Sequence, residues 1–219
     1  MFKKTLILST FLLTLAACSP SQSNSTQAGQ AAAESAVSSV QEPSAWHSSS
    51  VDISFLSSKI NKQLNSITEQ SGFGGAQATL GKEGDFKMDV DLGSVKTGIE
   101  IRDQRLKDWV FETARFAKAE ISAKVDAEAV NNLSVGESIH FKQPLVLNIH
   151  GKQINLEADL SAQRVSADKM MVYTLSPVVL DTKSMDMADG VAKLVEVMGL
   201  SSIVEQIPVS LHAEFVRRQ

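Results

Sequence analysis

Few side chains in this sequence could do chemistry: one thiol, Cys18, and four imidazoles, His47, His140, His150 and His212. The histidines show no i, i+2 or i, i+4 pairing and no HExxH run, the spacings that bring two imidazoles to one metal ion. No metal site is therefore expected. His140 and His212 alternate with apolar neighbours, which predicts a solvated strand face for both; His47 stands near the start of the folded part, and His150 reads as a turn residue. Asp103 and Asp108 have the residue type of an acid/base pair, but they lie in a run of alternating charge and are expected to be exposed partners of nearby Arg and Lys. No G-x-S-x-G elbow occurs, and Gly81-Lys82 is followed by Glu83 where a phosphate loop needs Ser or Thr. Gly72-Phe73-Gly74-Gly75 reads as a bend. This inventory predicts no catalytic group and no cofactor.

Cys18 has a context of its own. Lys3 and Lys4 precede an apolar run from Leu6 to Leu15, the layout of a secretory leader, and the run is too short for a spanning helix, which needs about 20 apolar residues. Leu15-Ala16-Ala17-Cys18 follows directly and resembles the lipobox of bacterial lipoproteins, in which the cysteine thiol is acylated and becomes the new N-terminus. Residues 1–17 are then a signal peptide, Cys18 carries the lipid, and the protein is anchored in the bacterial envelope. Ser19 rather than Asp after the cysteine implies delivery to the outer membrane, with the domain in the periplasm. A single cysteine forms no internal disulfide, so stability must come from packing.

Residues 18–45 are almost entirely Ser, Ala, Gln, Gly, Thr, Asn and Pro after the cysteine, the composition of a disordered tether with a reach on the order of 30 Å. The net charge is −4 and becomes −6 once Lys3 and Lys4 leave with the leader. That balance argues against nucleic acid and against attraction to an anionic bilayer.

Residues 46–219 remain as one domain. Their dominant pattern has period two: Ile139 and Phe141, then Leu145, Leu147 and Ile149 after a shift at Pro144; Ile154, Leu156, Ala158 and Leu160; Val209, Leu211, Ala213 and Phe215. His150-Gly151-Lys152-Gln153 predicts a tight hairpin between the first two runs, with Gly151 at positive φ. Shorter runs at 51–56, 73–80, 86–92, 119–125 and 170–178 bring the total to about eight strands. The predicted fold is all-β with minor helices, an antiparallel barrel. Val191, Leu194, Val195 and Met198 follow helical spacing up to Gly199 and predict a C-terminal capping helix over 189–199. The charged run 100–111 predicts a short, solvated helix with Leu106 and Val110 on one side.

The run Thr97-Gly98-Ile99-Glu100-Ile101-Arg102-Asp103, continuing through Leu106 to Phe111-Glu112 and Phe116, resembles the YceI-like family of lipocalin-like barrels. Leu147-Asn148-Ile149-His150-Gly151, Gly190-Val191 through Gly199-Leu200, Val209 to Phe215, and more loosely Trp46 and Ser54-Phe55 extend the resemblance over the folded domain. The chain departs from the family at Ala117, where proline is usual, and over Gln63 to Gln77, at one barrel rim.

The resemblance implies an interior that holds a long isoprenoid chain, of quinone or polyprenyl type, in a carrier or sequestering module rather than an enzyme. Its lining would draw on Ile53, Phe55, Phe73, Phe86, Trp109, Phe111, Phe116, Ile121, Phe141, Leu147, Leu156 and Val172. Apolar walls alone can supply such binding: about ten tail carbons at roughly 0.8 kcal/mol each contribute about 8 kcal/mol, against an association cost of about 4–15 kcal/mol. A period-two apolar face also suits a filled core, so the residues alone leave open a structural or partner-binding lipoprotein with no cavity.

Overall fold

A computed structural model describes residues 46–217; the leader, Cys18 and the tether lie outside the described residues. The strands are β1 (Trp46–Ile60), β2 (Ser66–Phe73), β3 (Ala76–Leu80), β4 (Asp85–Asp91), β5 (Val95–Lys96), β6 (Lys118–Lys124), β7 (Ser138–Ile149), β8 (Lys152–Arg164), β9 (Lys169–Thr174), β10 (Val178–Asp181), β11 (Ser202–Ile203) and β12 (Gln206–Val216). Eight of them close on themselves, in the order β1-β3-β4-β6-β7-β8-β9-β12 and back to β1, every pairing antiparallel. The closed antiparallel barrel matches the alternation in the sequence. Full closure leaves this circuit without an edge strand.

The other four strands build a flap at one end. β1 is long enough to pair with β3 through Trp46 and His47, then with β2 from Ile53 to Ile60. β5 extends β2, β10 pairs with the start of β12, and β11 pairs with the end of β1. The sequence predicts one strand over 73–80; the chain instead breaks at Gly74 and Gly75, because the path opposite β1 must bend while β1 itself runs on. Gly75 donates its N–H to the Ser94 hydroxyl and accepts from Asp91 N–H, which fixes the bend. The run 170–178 likewise divides into β9 and β10. Polar β2, within the stretch 63–77, carries no usable alternation.

The hairpin at 150–151 forms as predicted, between β7 and β8. Both of its central residues have positive φ, His150 at 51° and Gly151 at 73°, the primed turn whose twist suits antiparallel strands. A second expectation fails nearby: there is no shift at Pro144. The β7–β8 register runs unbroken from Ser138↔Gln163 to Ile149↔Lys152, so Gln143 takes the inward position between Phe141 and Leu145. The alternation only looked interrupted because a polar residue occupies it.

Three short helices complete the fold: α1 (Glu100–Arg105), α2 (Ala127–Asn131) and α3 (Ala188–Val197). α1 runs into a π-helical turn, Leu106–Val110, closed by Phe111 N–H donating to Leu106 O at 2.8 Å. Asp103 accepts from the backbone N–H and the hydroxyl of Thr97, and Asp108 from the Gln104 amide. Their partners are thus not the nearby Arg and Lys. Arg102 reaches Glu69 on β2 at 2.7 Å, and Lys59 on β1 reaches the same carboxylate at 2.5 Å. The Lys59 hydrogen bond, with the Arg102 charge, holds the Glu69 carboxyl below its ordinary range and ties α1 to the flap.

The two barrel ends are closed differently. At the end where β1 starts, Trp46 is fully buried and donates its indole N–H to Asn131 on α2 at 3.2 Å. The Arg164 and Arg217 guanidiniums lie 4.7 and 4.5 Å from its ring centre. At the hairpin end, α3 packs across the π turn, with Gly190 against the backbone of Trp109 and Val110.

Candidate functional site

Inward-facing side chains leave a cavity of about 290 Å³ inside the barrel. No charged residue lines it. Its polar lining is confined to Ser57, Gln143, Thr174, Thr182 and Ser210 among dozens of aliphatic and aromatic groups. Two of these are already engaged: Thr174 Oγ1 accepts from Leu211 N–H, and Gln143 Nε2 donates to the Lys124 and Pro144 carbonyls. The space is therefore an apolar slot with few free polar groups, and it offers no reacting pair for acid–base or nucleophilic chemistry.

Ten of the twelve residues expected as lining border this cavity. Ile53 and Phe55 on β1, Phe73 on β2, Phe86 on β4, Ile121 on β6, Phe141 and Leu147 on β7, Leu156 on β8, Val172 on β9, and Phe111 after the π turn all face the cavity. Phe55, Phe73 and Phe111 form an aromatic chain with ring centres 5.5 and 5.7 Å apart. Lys142, on the opposite parity from Phe141, faces solvent and pairs with Glu157 at 3.2 Å.

Trp109 and Phe116 are corrections, because neither lines the cavity. Helical spacing puts Trp109 beside Leu106 and Val110, but the π turn adds a residue to the circuit and turns the indole away. Its ring lies under the Arg105 guanidinium at 5.6 Å, while Leu106, Val110 and Phe111 take the inward positions. Phe116 packs on the His150 ring at 4.4 Å, with Arg115 4.9 Å above it. It braces the hairpin from outside.

Other lining residues follow from parity on strands already recognised, such as Met88, Val90 and Leu92 beyond Phe86. Met185 and Met187, by contrast, reach the cavity from an irregular turn before α3, and Val191 and Leu194 from α3 itself. A turn has no period to read. Flexible methionines at the lid can repack around chains of different shape.

Of the four histidines, His140 and His212 lie on exposed strand faces as expected. His150 is partly buried beside Phe116, its Nε2 3.5 Å from the Glu112 carboxylate. Among the described residues no three His, Cys, Asp or Glu side chains gather as metal ligands, and no helix is long and apolar enough to cross a membrane.

The barrel can be set beside known proteins. A polyisoprenoid binding domain from Saccharophagus degradans, implicated in plant cell wall breakdown, superposes with a TM-score of 0.75 at 28% identity, covering 80% of this chain and 99% of that one. BcnA of Burkholderia cenocepacia shares the fold with a TM-score of 0.52 at 15% identity, over 75% of this chain and 95% of its own. No functionally curated protein sequence gives a significant match. The profile of the YceI-like domain matches residues 31–215, which takes in every strand of the closed circuit, and the chain belongs to that family.

Proposed function

We propose that this protein is a non-enzymatic lipid-binding lipoprotein: its barrel takes up the chain of a long isoprenoid lipid, of quinone or polyprenyl type, and carries or sequesters it at the envelope. The observation that supports this most is the charge-free apolar cavity at the centre of a family barrel. A structural role for a filled barrel would leave that volume without a use. The S. degradans relative, a polyisoprenoid binding domain at 28% identity, supports the ligand class. Mass spectrometry of lipid extracted from the purified protein tests the reading, and an extract without any long-chain lipid, together with no uptake of added prenyl alcohol, would refute it.

Phe141 offers a finer test, because it is half-buried and faces the void. Truncating an aromatic side chain in a filled core costs about 3–5 kcal/mol. Phe141→Ala in the ligand-free protein is expected to lose less than that, since part of its surface has no neighbours to forfeit, and to weaken binding of a fluorescent prenyl analogue at least several-fold. Lys142→Ala should change neither quantity. Urea denaturation and fluorescence titration of the two variants give both numbers; a full core-sized loss of stability with unaltered affinity would contradict a ligand against Phe141.

Anchoring belongs to the same proposal. Acylation of Cys18 would place the barrel on the periplasmic side of the outer membrane, with residues 18–45 as its tether. Cys18→Ser is expected to leave an unprocessed, unlipidated chain whose barrel still folds. Globomycin-type inhibition of lipoprotein processing, membrane fractionation and intact mass check it, and a Cys18→Ser chain still acylated at the same place would overturn the assignment.

A further inference from the structure

The barrel wall is thinly paired between β6 and β7. They pair at only three positions, Glu120 to Ser122 against Asn148 to Val146, although β6 runs on to Lys124 and β7 begins at Ser138. The next positions in register would match Ala123 with Leu145 and Lys124 with Pro144. Proline has no N–H to donate, so the ladder stops where it approaches Pro144. In its place a side chain spans the seam: Gln143, only 7% exposed, donates Nε2 to the Lys124 carbonyl at 3.1 Å and to the Pro144 carbonyl at 2.7 Å.

A groove lies outside this seam. Phe86, Ala123, Gln143, Leu145 and Leu156 line both the groove and the interior cavity, so a single layer of side chains separates the two spaces. The rim of the groove is polar, with Asp85, Lys87, Ser122, Lys124 and Asn155. Lys124 is paired with Asp85 at 3.1 Å, whereas Lys87 pairs with no carboxylate among the described residues. A lipid with an apolar chain and an oxygen-bearing end fits this arrangement from both sides. Its chain matches the interior, and its polar end, costly to bury without a partner, finds hydroxyl, amide and ammonium donors at the rim.

We propose that the β6–β7 seam is a side mouth of the cavity, latched by Gln143, and that the groove holds the polar end of the bound lipid, a head presenting carbonyl, hydroxyl or phosphate oxygens. This rests on the lipid-binding reading above. The probe is a geranylgeranyl chain bearing a benzophenone ether at its polar end, used on the full-length chain carrying Cys18→Ser. Photocrosslinks are expected on residues 85–87, 122–124 and 155. Adding Ala123→Cys with Leu145→Cys allows the seam to be locked by oxidation, which should slow probe uptake at least tenfold and restore it on reduction, in one and the same molecule. Gln143→Leu, without the latch, should release probe several times faster. Crosslinks confined to the lid at 182–194, with uptake indifferent to oxidation, would overturn the side mouth and leave lipid binding standing. A parent protein that takes up no probe at all would overturn both.

Discussion

Trp46→Ala is expected to destabilise the barrel by at least about 3–5 kcal/mol, the range for truncating a large aromatic side chain in a packed core. The indole has no exposed surface. Two guanidiniums lie within 5 Å of its ring centre. Each contact contributes about 0.5–2 kcal/mol when desolvated. The two like charges also lie near each other: burial, and then the Arg217 charge, pull the Arg164 guanidinium below its usual range. Alanine would leave both cations beside a void. Trp46→Phe keeps the ring and loses the hydrogen bond to Asn131, so it should cost only about 1–2 kcal/mol. Guanidinium denaturation of the two variants decides the matter. Equal losses would mean that ring stacking contributes nothing and that the indole N–H is the important group.

Gly190→Ala sets two effects of opposite sign against each other. Alanine favours a helix over glycine by about 1 kcal/mol, which alone would stabilise α3. A β-carbon at this position, however, would stand 2.0 Å from the Trp109 carbonyl oxygen and 2.7 Å from the Val110 α-carbon. Both are backbone atoms of the π turn, which cannot swing aside as a side chain can. Overpacking costs about 1–3 kcal/mol, occasionally more, and a contact of 2.0 Å to backbone lies at the upper end, so the net result is a loss of about 2 kcal/mol, with α3 lifted from the barrel end. Thermal melts and hydrogen exchange over 188–198 would register it. A Gly190→Ala protein more stable than its parent would show that α3 does not dock at this distance.

What the sequence disclosed depended on whether a segment obeys a period. β7, β8 and β12 each pack one face against the cavity, and their alternation located Phe141, Leu147, Leu156 and Phe215 without further help. α3 and the 150–151 hairpin announce themselves through Leu194, Gly199 and Gly151. β2 does not, because it lies in the flap rather than in the closed wall, and Ser66, Thr68 and Gln70 alternate with little that is apolar. Trp109 was misplaced for a definite reason: a π turn looks like an α-helix in sequence and differs from it by one residue in phase. Gln143 was hidden by its polarity, since an inward amide reads as a break in the pattern. Asp103 was assigned to the surface by its charged neighbours, whereas its geometry lets it hold the Thr97 loop. The site was thus legible wherever burial alone determines the residue, and illegible wherever one polar group satisfies another.

The pairing of β1 with β12 governs how the molecule comes into being. These are the first and last strands of the described residues, and the wall is complete only when His47 meets Val216 and Phe55 meets Val209. Contacts so distant along the chain form slowly, because the whole intervening loop must be ordered first. The chain is delivered N-terminus first, so β1 is made while its partner has not yet emerged. Throughout that interval β1 presents an unpaired edge, and β9 another once it has formed, each able to recruit a strand from a neighbouring copy. The half-formed barrel is consequently the state most in need of a chaperone, and the arrival of β12 is the event that ends the need.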